Sequence, residues 1–225
     1  MLYCKNMTDG ILLIDKPASI TSFGVVARVR RVLSQQQGKK VKVGHTGTLD
    51  PFATGLMILA VGKECKNAGN YSKLDKVYEA TVRLGQTSTT GDPEGEITDF
   101  HGIAPSMVEV LEVLEHFKGE ITQRPPIYSA IHINGQRAYD LARAGKEFEM
   151  PQRQITIHSL ELIDYTYPEL KIRANVSSGT YIRTLAEDIG KSLGTGAYCS
   201  QLRRISIADW HVDNAVTLQS MGITD

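Results

Sequence analysis

Segments of helical and of strand periodicity follow one another along this chain in no regular order, and that irregularity constrains its fold more than any other feature. A doubly wound parallel sheet needs strands and helices in strict alternation, so an irregular mixture points to an α+β fold with a mixed, mainly antiparallel central sheet. Residues 11–15 read as a short buried strand stopped at Lys16-Pro17. Thr21 or Ser22 can cap a helix over 23–35, where Val25, Val26, Val29, Val32 and Leu33 form one apolar stripe and the arginines point off it. Residues 35–40 then read as a helix end and an exposed basic loop. Further strands are expected over 57–61, 76–84, 155–163, 170–176 and 200–208. A helix over 105–117 should turn Met107, Val110, Leu111, Leu114 and Phe117 inward, and another is expected over 180–193. Residues 87–98, rich in Gly, Asp, Glu and Pro, read as a loop. Gln123-Arg124-Pro125-Pro126 breaks regular structure, and 128–149 reads as a hairpin-and-helix excursion with a turn at Asn134-Gly135 and Gly145 closing its helix. The simplest organisation is one compact unit over 1–225 with an inserted arm near 123–150.

One run stands out chemically: Gly44-His45-Thr46-Gly47-Thr48-Leu49-Asp50-Pro51-Phe52-Ala53-Thr54-Gly55. It sets one carboxylate on a turn rich in glycine and threonine. Pro51 biases Asp50 towards an extended backbone, because its ring crowds the helical region of the residue before it. Gly44 and Gly47 are expected to allow a path that residues with side chains resist. A short acid held in one orientation suits nucleophilic or acid–base chemistry. The plainer reading makes Asp50 a helix N-cap with Pro51 at the first position of a short helix. The run lacks the Gly-Lys-Ser/Thr ending of a nucleotide-phosphate loop, and no Gly-x-Gly-x-x-Gly opens a helix elsewhere.

Composition narrows the partners. With 25 basic and 25 acidic residues among 225, net charge alone announces no polyanion. The distribution says more. Between Asp15 and Asp50 there is no acid, while Lys16, Arg28, Arg30, Arg31, Lys39, Lys40 and Lys42 are basic, so a positive face can steer anionic ligands beside the turn. Cys4, Cys65 and Cys199 stand far apart, which fits a reducing compartment and neither a disulfide framework nor a zinc pattern. The six histidines show no metal-ligand spacing. No apolar run is long enough to span a membrane, no export signal opens the chain, and the Asn6-Met7-Thr8 sequon has no meaning in a cytosolic protein.

Several blocks together resemble the TruB-type tRNA pseudouridine synthases, and the likeness covers nearly the whole chain. Residues 10–17 with Thr21-Ser22 resemble the family's first motif, and 44–51 with Ala53-Thr54-Gly55-Leu56 its catalytic motif. Lys76-Val77-Tyr78-Glu79-Ala80 resembles the strand that bears the active-site tyrosine. Residues 125–130, with Gly135 and Arg137-Ala138-Tyr139, resemble the arm that grips RNA. Ser178-Gly179-Thr180-Tyr181-Ile182-Arg183 resembles the arginine motif, and Leu202-Arg203-Arg204 the closing one.

The resemblance implies a cytoplasmic isomerase that converts the uridine at position 55 in the T loop of tRNA to pseudouridine without ATP, metal or organic cofactor. Such chemistry takes the base out of its stack. By the same resemblance Asp50 is the essential carboxylate, acting at the ribose C1′–C2′ region or on the base. Arg183 pairs with it, and Tyr78 stacks on the flipped base. His45 enters the loop vacated by the uridine. Lys16, Tyr181 and Leu202 line or frame the pocket, and Arg137 belongs to the arm. The implied partner is the tRNA T arm, with no guide RNA and no membrane, and the protein is expected to be a monomer. Ser19 stands where glycine is usual and His132 where lysine is common. The chain also has no room for the small C-terminal RNA-binding domain many members carry. Three rivals remain: a guide-dependent dyskerin-like synthase, a non-catalytic tRNA-binding or folding helper, and a structural domain whose Asp50 is only a cap.

Overall fold

The computed structural model describes residues 7–129, 131–133 and 135–223. Cys4, the sequon's Asn6, Ala130 of the arm motif and the Asn134 half of the expected turn lie outside the described residues. In chain order the elements are β1 (Gly10–Lys16), α1 (Ser22–Gln37), β2 (Val43–His45), β3 (Thr54–Val61), α2 (Ala68–Ser72), β4 (Lys76–Leu84), β5 (Gln86–Ser88) and β6 (Ile97–Asp99). There follow α3 (Met107–His116), β7 (Gly119–Gln123), β8 (His132–Ile133), β9 (Gln136–Arg137), α4 (Ala138–Arg143), β10 (Arg153–Thr166) and β11 (Glu169–Val176). The last are α5 (Ile182–Ser192), β12 (Ala197–Ile207), β13 (Trp210–His211) and β14 (Val216–Thr217). The chain packs as two compact units, one of Met1–Val77 with Arg203–Asp225 and one of Tyr78–Leu202. Among the described residues, no helix is long and apolar enough to cross a membrane.

In the first unit β3 is the central strand. β1 runs antiparallel to its whole length, from Gly10 opposite Val61 to Lys16 opposite Gly55. Its other edge is divided. β2 pairs antiparallel with Leu59, Ala60 and Val61, while Arg203 and Arg204 of β12 pair parallel with Thr54 and Gly55. β2 therefore stops at His45, and residues 46–53 leave the sheet as a turn before β3 begins. β3 is buried on both faces, which is why its sequence is a continuous apolar run rather than an alternation. Met57, Leu59 and Val61 pack with the α1 stripe of Val25, Val26, Val29 and Leu33, and Leu56 and Ile58 pack with Ile207 and Val212. Each such side chain stabilises the unit by roughly 1.5–3 kcal/mol when fully buried. The hydroxyl of Thr21 caps α1 by accepting the Gly24 N–H at 2.9 Å.

In the second unit β11, β10 and β7 form an antiparallel set, with β11 also flanked by β4. β5 and β6 form a small hairpin, so the segment read as an unbroken loop over 87–98 has paired strands at both ends. β8 and β9 pair as the expected hairpin and lead into α4. A capping box between Ser106 and Glu109 starts α3 at Met107, two residues later than Pro105 would place it. Only Val110 and Leu114 of α3 are buried, whereas Met107 and Leu111 remain 45% and 49% exposed. The helix meets its unit along a narrow i, i+4 seam, so the wider inward stripe expected from periodicity does not form.

Two further expectations fail at the Asp50 turn. No helix starts at Pro51: residues 51–52 are bends, and β3 begins at Thr54. Gly44 and Gly47 do not adopt positive φ, and a methyl group on Gly44 would meet no atom within 4 Å. The demanding glycine is Gly55, at φ 104°, where a Cβ would lie 2.3 Å from the Arg204 carbonyl oxygen. Gly55→Ala should therefore cost about 2 kcal/mol or more, through left-handed strain and overpacking. Gly44→Ala should change stability by roughly 0.5 kcal/mol at most, as expected where the native backbone accepts a Cβ. Urea unfolding midpoints of the two variants give the comparison.

Candidate active site

The turn that carries Asp50 is pinned from beneath by its own unit. Arg204, only 1% exposed, donates from Nε to the Leu56 carbonyl at 2.7 Å, from Nη1 to Thr48 O at 3.4 Å and from Nη2 to Gly47 O at 3.3 Å. Ser22, at the start of α1, donates to the Leu49 carbonyl and accepts the Leu49 N–H, both at 2.8 Å. Thr46 gives both its N–H and its hydroxyl to Ile58 O at 3.1 Å. On the far side of the aspartate, Pro51 O accepts from Lys16 Nζ at 3.1 Å and from the Ser19 N–H at 2.8 Å. Residues on both sides of Asp50 are thus fixed through their backbone, and Asp50 itself is half-buried. Because no helix follows, it is not an N-cap.

Lys16 is fully buried, and its ammonium also donates to Pro17 O and Ile20 O at 2.8 Å each. Its described contacts therefore frame the turn from inside. Ser19 takes φ 65°, a region glycine occupies without penalty. His45 ends β2, at the entry to the turn.

A third buried cation escaped the sequence reading. Lys76 donates to the carbonyls of Ser72 and Leu74 behind α2, and a methyl group on Gly47 would lie 3.9 Å from its Cε. Burial, and then the Arg204 guanidinium, push Lys76 down to about 8, with Asp75 opposing. The signal was present in β4. Lys76 shares the phase of the buried Tyr78, Ala80, Val82 and Leu84, so alternation places it inward.

In the second unit Arg183 stands in the first turn of α5 and is only 4% exposed. Its Nη1 donates to Thr90 O at 2.8 Å and lies 3.2 Å from Asp92 Oδ2, and its Nη2 donates to Tyr128 O at 3.0 Å. Asp92 is held in turn by the Thr90 hydroxyl at 2.6 Å and the Glu94 N–H at 3.0 Å. Sequence reasoning missed Asp92, because one acid in a turn rich in Gly, Asp and Pro carries no distinguishing period. Gln123 clamps Tyr181 at the α5 N-cap, donating to its carbonyl at 3.0 Å and accepting its N–H at 2.8 Å. The Arg153 guanidinium stands 5.7 Å from the Tyr181 ring centre. Tyr78 and Leu202 are buried in β4 and β12, while Arg137 is exposed at the end of β9. Asp50, His45 and Lys16 thus belong to the first unit, and Tyr78, Arg183, Tyr181, Leu202 and Arg137 to the second. Among the described residues, no three His, Cys, Asp or Glu side chains are grouped to hold a metal ion.

Glu187 lies one turn after Arg183, with its carboxylate against the backbone of Gly91. Burial, then the Asp188 carboxylate, raise it from 4.5 to about 7; Arg183 opposes this and Asp92 adds to it. The folded protein therefore holds this proton more tightly than the unfolded chain, and stability falls as pH rises from 4.5 to about 7. Glu187→Gln should be more stable than the parent at pH 8, by about 1 kcal/mol after solvent screening, and the difference should close by about pH 4. Urea titrations at the two pH values measure it.

Comparison with known proteins places this geometry in a family. Residues 30–182 match the model for TruB family pseudouridylate synthase (N terminal domain), and residues 183–222 match that for the tRNA pseudouridylate synthase B C-terminal domain. The chain is 45% identical over 217 residues to tRNA pseudouridine synthase B of Azoarcus sp. (strain BH72), covering 96% of this chain and 71% of the relative. It is 44% identical over 220 residues to the protein of the same name from Cupriavidus pinatubonensis, covering 96% and 68%. Among solved structures, a chain from a Cbf5-Nop10-Gar1 complex superposes with a TM-score of 0.72 at 29% identity, covering 93% of this chain. This chain spans about half, 52%, of that one. On the family models and the curated relatives together, the chain belongs to the TruB family of pseudouridylate synthases.

Proposed function

We propose that this protein isomerises uridine to pseudouridine in tRNA, at position 55 of the T loop, with Asp50 as the essential carboxylate. The observation that carries the reading is the Asp50 turn. Its backbone is pinned at residues 46–49 and 51, and no helix starts after the aspartate. Rigid support of one carboxylate is what catalysis by position requires. The reaction breaks the N-glycosidic bond and rejoins ribose C1′ to C5 of the same uracil, so atoms balance without a co-substrate. Asp50 acts at the ribose or on the base, Arg183 keeps it charged and aimed, and Tyr78 stacks on the flipped uracil. His45 fills the vacated place in the RNA, Arg137 works in the gripping arm, and Lys16, Tyr181 and Leu202 frame the pocket. Both compact units serve one catalytic domain, and the protein works in the cytoplasm as a monomer.

A second reading, a guide-dependent dyskerin-like enzyme, draws on the likeness to the chain of the Cbf5-Nop10-Gar1 complex. Purified protein and a uridine-55 tRNA transcript, with no other RNA or protein, separate the two. Stoichiometric pseudouridine at position 55 supports the stand-alone enzyme, and product only after a guide RNA and partner proteins are added supports the other. Asp50→Asn should lower turnover by at least about 10⁴-fold, the scale set by loss of a group on which chemistry depends, while leaving the unfolding midpoint near that of the parent. Parent-level activity in a folded Asp50→Asn protein would sink the mechanism.

A further inference from the structure

Among the described residues of the first unit, Phe23 is the exposed large aromatic, at 64% of its free surface. It occupies the first turn of α1, directly after Ser22. The two hydrogen bonds of Ser22 go to Leu49, the residue directly before Asp50, so the ring is tied through one residue on each side to the candidate catalytic turn. Phe23, Ala27 and Arg30 fall at i, i+4 and i+7 on one flank of the helix, beside the buried stripe of Val25, Val29 and Leu33. The Arg30 guanidinium stands 6.0 Å from the Phe23 ring centre, at cation–π range. The surrounding sequence from Lys16 to Leu49 contains seven lysines and arginines and no acid. An exposed aromatic ring beside a guanidinium group, in a field that favours polyanions, is the chemistry that recognises an unstacked nucleobase with its phosphates. An apolar protein partner is disfavoured, since a stretch this basic costs desolvation against a greasy surface.

We infer that Phe23 and Arg30 form a stacking platform for a nucleobase of the RNA, separate from the uracil that reacts. This rests on the proposed function, because it takes the RNA substrate as the ligand. The platform adds binding next to the turn without touching the reacting atoms. Stacking is sequence-tolerant, so it contributes to affinity and to the pose of the loop rather than to reading one base.

The test uses the whole chain and a T-arm stem-loop RNA, with Kd from titration at fixed salt and KM and the saturating single-turnover rate on a tRNA transcript. Phe23→Ala should raise Kd and KM about tenfold, the scale of one lost base–aromatic stack, with a fall of less than about threefold in the saturating rate. Phe23→Leu should behave like Phe23→Ala, and Phe23→Trp should bind like the parent and show fluorescence quenching on addition of RNA. If Leu restores binding, the side chain acts only through apolar bulk, and the stacking inference is overturned. It is equally overturned if Phe23→Ala binds like the parent while the parent binds and isomerises tRNA. A parent protein that neither binds nor modifies tRNA would instead overturn the proposed function, and the platform with it.

Discussion

The guanidinium of Arg204 is the interaction on which the candidate active turn depends. A buried cation must be compensated, and this one takes the carbonyl oxygens of Leu56, Thr48 and Gly47. One of those carbonyls is in β3 and two are in the turn, so satisfying the charge also fixes the turn against the sheet. The same strand brings the Arg204 backbone against Gly55, where no side chain fits. Strand pairing, glycine placement and turn geometry are therefore one constraint. Lys16 repeats the device on the other side of Asp50, converting a buried ammonium into a clamp on Pro51 O.

The second unit handles a buried cation differently. Arg183 has a carboxylate partner in Asp92 as well as the carbonyls of Thr90 and Tyr128. Such a pair contributes less to stability than its Coulomb energy suggests, because both charges lose water. What it supplies is a defined guanidinium orientation. Glu187, near Arg183, and its neighbour Asp188 are both raised by burial, which marks this part of α5 as a place where charge is costly.

Much of the fold was legible because its causes are local. The α1 stripe, its Thr21 cap, β4 from Lys76 to Leu84 and the two long strands β10 and β11 all follow from periodicity and capping. The misses share a different cause. The helix expected at Pro51 is absent because β12 takes the lower edge of β3 and draws the chain straight into a strand. The breadth of the buried face of α3 depended on how closely the helix approaches its unit, which periodicity does not encode. Short strands such as β2, β5 and β6 exist only because partners are present.

By itself the sequence determined the α+β class, the Asp50 run, the acid-free basic stretch and the family to which the chain belongs. These are properties of residue order, written in periods and in blocks whose spacing is visible without a structure. Only the tertiary structure decided that Asp50 caps no helix, that Gly55 rather than Gly44 or Gly47 is sterically required, and that Arg204, Lys16 and Lys76 are buried near the turn. It alone also gave Arg183 its partner in Asp92 and left Phe23 in solvent. The physical reason is that compensation of a buried charge is a long-range matter. Arg204 lies 148 residues from the carbonyl it bonds most closely, and no local pattern states which oxygen a guanidinium will find.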